Sequence, residues 1–135
     1  MSKIEPAVAR EVEISSADEA AIRGVIDDYY LGWYEGDGDR MARALHPDLA
    51  KRGWYAFKSD VPGLDQDTHA TMVELARTGR GRQSDPAARR YTVDISDVYG
   101  DIGSAVVHAV PYVDYLHLVK TADGWQILNA LWCPA

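Results

Sequence analysis

A single cysteine, Cys133, stands in 135 residues, so an internal disulfide is excluded. No run approaches the ~20 consecutive apolar residues that span a membrane. The opening MSKIEPAVAREVEI lacks the unbroken apolar stretch of a secretory signal. These absences predict a soluble, cytoplasmic protein of a reducing compartment. Basic charge is also scarce: 14 Lys and Arg against 21 Asp and Glu give a net charge of -7 and a pI near 4.9. On average that balance repels nucleic acid and anionic membranes, so neither is an expected partner. The four histidines show no H-x-H or H-E-x-x-H spacing, and there is no G-x-S-x-G and no phosphate loop. The GRGR string at 79–82 lacks the flanking strand and helix that would turn glycines into a cradle. No metal or cofactor is expected.

The 47% apolar content suits one folded domain. Residues 1–15 mix charge with Pro6 and read as a flexible arm, leaving 16–135 for the domain. Ser16 and Glu19 form a capping-box pattern that predicts a helix start. Ile22, Val25, Ile26, Tyr29, Tyr30, Trp33 and Tyr34 then recur at spacings of three and four along one core-facing stripe. Gly36 is suited to end this helix in a left-handed cap. Asp39 is expected to cap a second helix burying Met41, Ala44 and Leu45, which stops at a turn through His46, Pro47 and Asp48. Residues 54–57 read as a strand and 61–65 as a turn, and a third helix from Thr68 to Arg77 buries Met72, Val73 and Ala76. The Gly- and Arg-rich stretch 78–90 reads as a loop. From Tyr91 the helical period disappears, and Val-, Ile- and Tyr-rich runs at 91–99, 102–113, 115–121 and 125–132 predict an antiparallel meander.

This order of helices then sheet, with the strings GWYEGDGDRMARALHPDLAKR and DYLHLVKTADGWQILNALW, resembles the nuclear transport factor 2-like superfamily. That group also holds ketosteroid isomerase, the SnoaL-like cyclases and scytalone dehydratase. More narrowly, the strings resemble the bacterial branch described as putative lumazine-binding. The resemblance covers roughly residues 17–132. It implies an α+β cone, with three N-terminal helices packed on a curved antiparallel sheet. Set beside ketosteroid isomerase, the first oxyanion-binding tyrosine falls at Tyr29 and the second donor, a carboxylic acid kept neutral by an apolar site, at Asp114; that enzyme is a worked case of such pKa tuning. Its carboxylate base falls near Arg52 and Gly53, where this chain offers Lys51 and Arg52 and no acid.

Strand parity points the same way, because Tyr112, Asp114, Leu116 and Leu118 lie on one face of a strand. Asp114 is thus expected in an apolar pocket, donating as a neutral acid or pairing with Arg52 or His46. Leu128, Ala130 and Trp132 are expected to face inward, and Tyr115, His117 and Asn129 outward against a partner subunit, so a homodimer is expected. Of the adjacent tyrosines at most one is expected to face directly inward, with Tyr30 the more ordinary core aromatic. Tyr29, His46 and Asp114 are therefore candidate catalytic residues, His46 serving as replacement base or as a helix cap. Tyr30, Trp33, Arg52, Trp54, Leu116, Leu128 and Trp132 are candidate ligand contacts. The expected function is binding of a small, mostly apolar or heteroaromatic metabolite, in a pocket of roughly 300 to 1,000 Å³. The alternatives are an isomerase, dehydratase or cyclase acting on a carbonyl compound, and a protein-interaction module.

Overall fold

The computed structural model describes residues 13–135. The arm expected over 1–15 therefore falls largely outside the described residues. Helix α1 spans Ser16–Glu35, α2 Gly38–Ala44 and α3 His69–Arg77, while the strands are β1 Leu45–Tyr55, β2 Gly63–Asp67, β3 Tyr91–Tyr99, β4 Ile102–Ala109, β5 Tyr112–Thr121 and β6 Gly124–Pro134. A short 3-10 turn at Pro86–Arg89 interrupts the expected loop. The six strands form one sheet in the order β2-β1-β6-β5-β4-β3. Strands β3 to β6 make the expected antiparallel meander. Strand β1 enters beside β6 in parallel, which makes the sheet mixed.

Helix α1 buries Ile22, Ile26, Tyr29, Tyr30 and Tyr34, and Met41 and Ala44 of α2 join the same core with Leu45, the first residue of β1. Met72, Val73 and Ala76 of α3 close it from a third side, and the inward residues of β4 to β6 supply Val107, Leu116, Leu118, Ile127 and Ala130. Both early helix caps differ from expectation. Ser15, not Ser16, caps α1 by accepting a hydrogen bond from the Asp18 amide, which leaves Glu19 to pair with Arg23. Asp37, not Asp39, caps α2 through the Arg40 amide, and Asp39 sits in the first turn facing Arg77. Ser15 and Asp37 are the side chains that meet the free amides of each first turn, and so they set the boundaries.

The turn expected at His46, Pro47 and Asp48 is instead strand. Helix α2 ends at Ala44, and His46 to Asp48 lie in an irregular stretch of β1, where five residues advance against two of β6. Strand β2 likewise occupies part of the turn expected at 61–65, and the break between β4 and β5 falls at Val110 and Pro111. A second irregularity places Leu128 as the extra residue of β6, between the pairs His117 with Asn129 and Leu118 with Ile127. Such bulges bend and twist a sheet, which here wraps it about α1.

Gly36 ends α1 with φ of 68°, and a Cβ there would lie 3.2 Å from the Ala76 carbonyl oxygen. Gly36→Ala is expected to cost about 1–2 kcal/mol from the left-handed backbone alone. An equilibrium urea titration would register this as a lower midpoint at unchanged slope.

Candidate functional site

Between α1 and the concave face of β1, β5 and β6 lies a cavity of about 60 Å³, or about 370 Å³ with its open mouth included. Tyr29, Tyr30, Trp33, Lys51, Tyr112, Asp114 and Trp132 line it. Successive tyrosines of α1 both reach the cavity because their rings pack edge to face, with centroids 5.2 Å apart. The second ring is fixed further by stacking on Tyr91 at 4.8 Å.

Strand alternation brings Tyr112 and Asp114 to the inner face of β5, as the sequence predicted. Asp114 is 3% exposed, and its Oδ2 accepts a short hydrogen bond from the Tyr30 hydroxyl. Its Oδ1 is buried without any hydrogen-bond partner. Burial raises the Asp114 pKa above the usual carboxylate range, while Lys51 and the Tyr30 hydrogen bond pull the other way. The same burial, with the Asp114 charge adding to it, pushes the Tyr29 and Tyr30 hydroxyls well above the normal phenol range, so both remain donors.

Of the basic pair that stands where the isomerase carries its base, Lys51 is the residue that enters the cavity. On β1 it shares the inward face with Leu49 and Gly53, and its Nζ donates to the Tyr29 hydroxyl at 2.5 Å. Three rings surround that ammonium, with centroids at 5.0 Å for Tyr29, 5.5 Å for Trp132 and 5.8 Å for Trp33. Desolvation lowers the Lys51 pKa, opposed by the charges of Asp114, Asp67 and Asp65. The two aspartates of β2 stand opposite Lys51 and Gly53 in the β1–β2 register. Gly53 makes room for the cavity wall, since a Cβ there would lie 2.6 Å from the Trp132 indole. At the mouth, Trp132 packs against Tyr55 at 4.9 Å and Tyr112 at 5.4 Å, while Trp33 Nε1 donates to the Tyr112 hydroxyl at 3.4 Å.

Several expected contacts lie elsewhere. Arg52 is exposed on the opposite face of β1, because alternation that turns Lys51 inward turns its neighbour out. Trp54, two residues on, follows Arg52 outward and is 52% exposed beside Leu64. Leu128 is carried by the β6 bulge to a shallow outer depression with Tyr99, Ile102 and His117. Leu116 does face inward, but it is packed into the core and is not part of the cavity wall. His46 does not line the cavity; its Nδ1 accepts from the Asp48 amide at 3.0 Å, so the base expected for isomerase chemistry is not in place. Tyr30, expected to be the ordinary core aromatic, is the tyrosine that bonds Asp114, and Tyr29 bonds Lys51. Lys51, Tyr55 and Tyr112 went unassigned as contacts, and the inward alternation Leu49, Lys51, Gly53, Tyr55 was the signal that could have found the first two. Among the described residues no helix is long and apolar enough to cross a membrane.

Comparison with known proteins agrees with this architecture. The model of the family described as Putative lumazine-binding matches residues 17–133. A nuclear transport factor 2-like protein of unknown function from Silicibacter pomeroyi aligns with TM-score 0.68 at 15% identity, over 90% of this chain and 100% of its own. One from Methylobacillus flagellatus, also of unknown function, gives 0.68 at 21% identity, over 92% and 97%. A third, from Novosphingobium aromaticivorans with a cystatin-like fold, gives 0.59 at 18%, over 87% and 82%. No curated protein matches the sequence. At these identities the likeness establishes the nuclear transport factor 2-like fold.

Tyr30→Phe leaves both Asp114 oxygens without a donor and is expected to cost about 1–3 kcal/mol. Because the folded-state pKa of Asp114 lies above its unfolded value, the associated stability is full below about 3.8 and is lost as pH rises through the folded value. Denaturation of wild type and Asp114→Asn across a pH series checks this: the advantage of wild type over the variant should shrink as pH rises.

Proposed function

We propose that this chain, which belongs to the family described as Putative lumazine-binding, holds the polar edge of a small planar metabolite in the cavity beneath α1. One observation carries the reading: Lys51, Tyr29, Tyr30 and Asp114 converge on a single aromatic-walled cavity, and Asp114 Oδ1 has no partner of its own. An unpartnered buried oxygen costs on the order of 1–3 kcal/mol, which a core assembled only for stability would avoid. A guest presenting one N–H or O–H donor beside one carbonyl oxygen would satisfy Asp114 and Lys51 together.

The size of the cavity narrows the guest. Its 60 Å³ is well below roughly 300 to 1,000 Å³ for pockets that enclose a whole ligand. A bicyclic pteridine therefore exceeds the inner cavity in this conformation. Its pyrimidinedione edge, with alternating N–H and C=O groups, has the right pattern for Asp114 and Lys51, and the remaining ring would lie in the mouth against Tyr112 and Trp132.

Tryptophan fluorescence titration with lumazine, and with uracil as its one-ring fragment, tests this through Trp33 and Trp132. Saturable quenching is expected, weakened at least ~10-fold in Lys51→Met, which corresponds to about 1.4 kcal/mol. Absence of saturation at millimolar ligand, or equal affinity in the variant, would contradict the reading.

The convex face of the sheet exposes the opposed pair Tyr115 and Leu131 at 56% and 50%, and the neighbouring pair His117 and Asn129 hydrogen-bond to each other. A second copy seated on that face is the arrangement we favour. Light scattering should then return twice the 14.9 kDa chain mass, falling to one copy in Tyr115→Glu; a wild-type monomer at tens of micromolar would refute it.

A further inference from the structure

We infer that Lys51 is a nucleophilic amine, placed to condense with an aldehyde or ketone entering the cavity and to hold it as an imine. This rests on the reading that the cavity admits a guest, and it adds covalent chemistry to that reading. Three features of the geometry support it. The Lys51 head is enclosed by the faces of Tyr29, Trp33 and Trp132 and is fixed by its hydrogen bond to Tyr29. Among the described residues it enters no ion pair within salt-bridge distance, although Asp114, Asp67 and Asp65 surround it at longer range. A carboxyl group, that of Asp114, lines the same cavity with one oxygen unpartnered.

Each element serves a step of imine formation. An amine attacks only when unprotonated, and an apolar surround disfavours its ammonium form. Desolvation acts on Lys51 in that direction. The nitrogen lone pair bonds to the carbonyl carbon while the C=O π pair moves to oxygen. Transfer of a proton from nitrogen to oxygen then gives a carbinolamine. The Asp114 carboxyl, which burial keeps toward its protonated form, donates a proton to the carbinolamine hydroxyl. Water leaves as the nitrogen pair forms C=N, and the resulting iminium returns its proton to Asp114. The net change is amine plus carbonyl giving imine plus water, with no oxidant or reductant. The inner volume of about 60 Å³ limits the carbonyl compound to a short chain, or to the end of a longer one threaded past Trp132.

The test uses the full-length wild-type protein at neutral pH with a limiting amount of propanal. Added cyanoborohydride reduces any C=N bond to a stable secondary amine. Peptide mass spectrometry then compares the four lysines, Lys3, Lys51, Lys58 and Lys120, and the terminal amine. Propylation of Lys51 is expected to exceed that of the exposed Lys58 and Lys120 by at least roughly tenfold, as for a desolvated amine. A lysine merely shielded by packing would show the reverse order. Labelling of Lys51 no faster than of Lys58 and Lys120 overturns the proposal. If uracil still quenches tryptophan fluorescence saturably in that case, the amine chemistry falls and the binding reading stands. If uracil also fails to saturate, both fall together.

Discussion

The contact on which the rest of this structure depends is the hydrogen bond from Tyr30 to Asp114. It joins the long helix to the concave face of the sheet between residues 84 positions apart in sequence. It ties α1 to β5 at the wall of the cavity that both elements line. Apolar packing around it is dense: Ile22, Ile26, Met41, Leu116 and Ile127 lie at or below 1% exposure. A tyrosine hydroxyl and a carboxyl set among such neighbours satisfy each other, because the apolar side chains around them offer no hydrogen bond.

Lys51 is the second element of the same arrangement. A lysine is seldom held among aromatic faces, since its ammonium is strongly hydrated and its removal from water is costly. Here the cost is offset in part by the ring faces, by the Tyr29 oxygen and by the distant charges of Asp114, Asp67 and Asp65. Gly53 contributes by absence, for only a residue without Cβ lets the Trp132 indole lie against β1. The chemistry of the cavity thus follows from two adjacent inward positions of one strand, one carrying an amine and the other carrying nothing.

Much of this was legible in the sequence, and what escaped has identifiable causes. The α1 stripe, the Gly36 cap, α3 and the parity that turns Asp114 inward all rest on local periodicity and on single-residue conformational preferences, which a sequence exposes directly. Strand β1 does not. Its first residues include His46, Pro47 and Asp48, which read as a helix stop and turn, and its inward positions include a lysine and a glycine where an alternating apolar pattern was sought. Without that strand the facing of Lys51 and Arg52 stayed open, and the choice of Arg52 and Trp54 as contacts went to the wrong face. Leu128 failed for a related reason, since a bulge adds one residue and moves its side chain out of the alternation. His46, chosen as an imidazole able to move a proton near neutral pH or to cap a helix, instead has its ring turned back to the Asp48 amide at the start of β1.

An amine and a carboxyl group share one aromatic-walled cavity in this fold. Carbon-13 NMR titration of the labelled lysine and aspartate side chains measures both groups in the native protein. One carboxyl should titrate above the ordinary aspartate range and one lysine below the ordinary ammonium range, and both should move on addition of uracil. Titration of every aspartate and every lysine at ordinary positions, unchanged by the ligand, would contradict it.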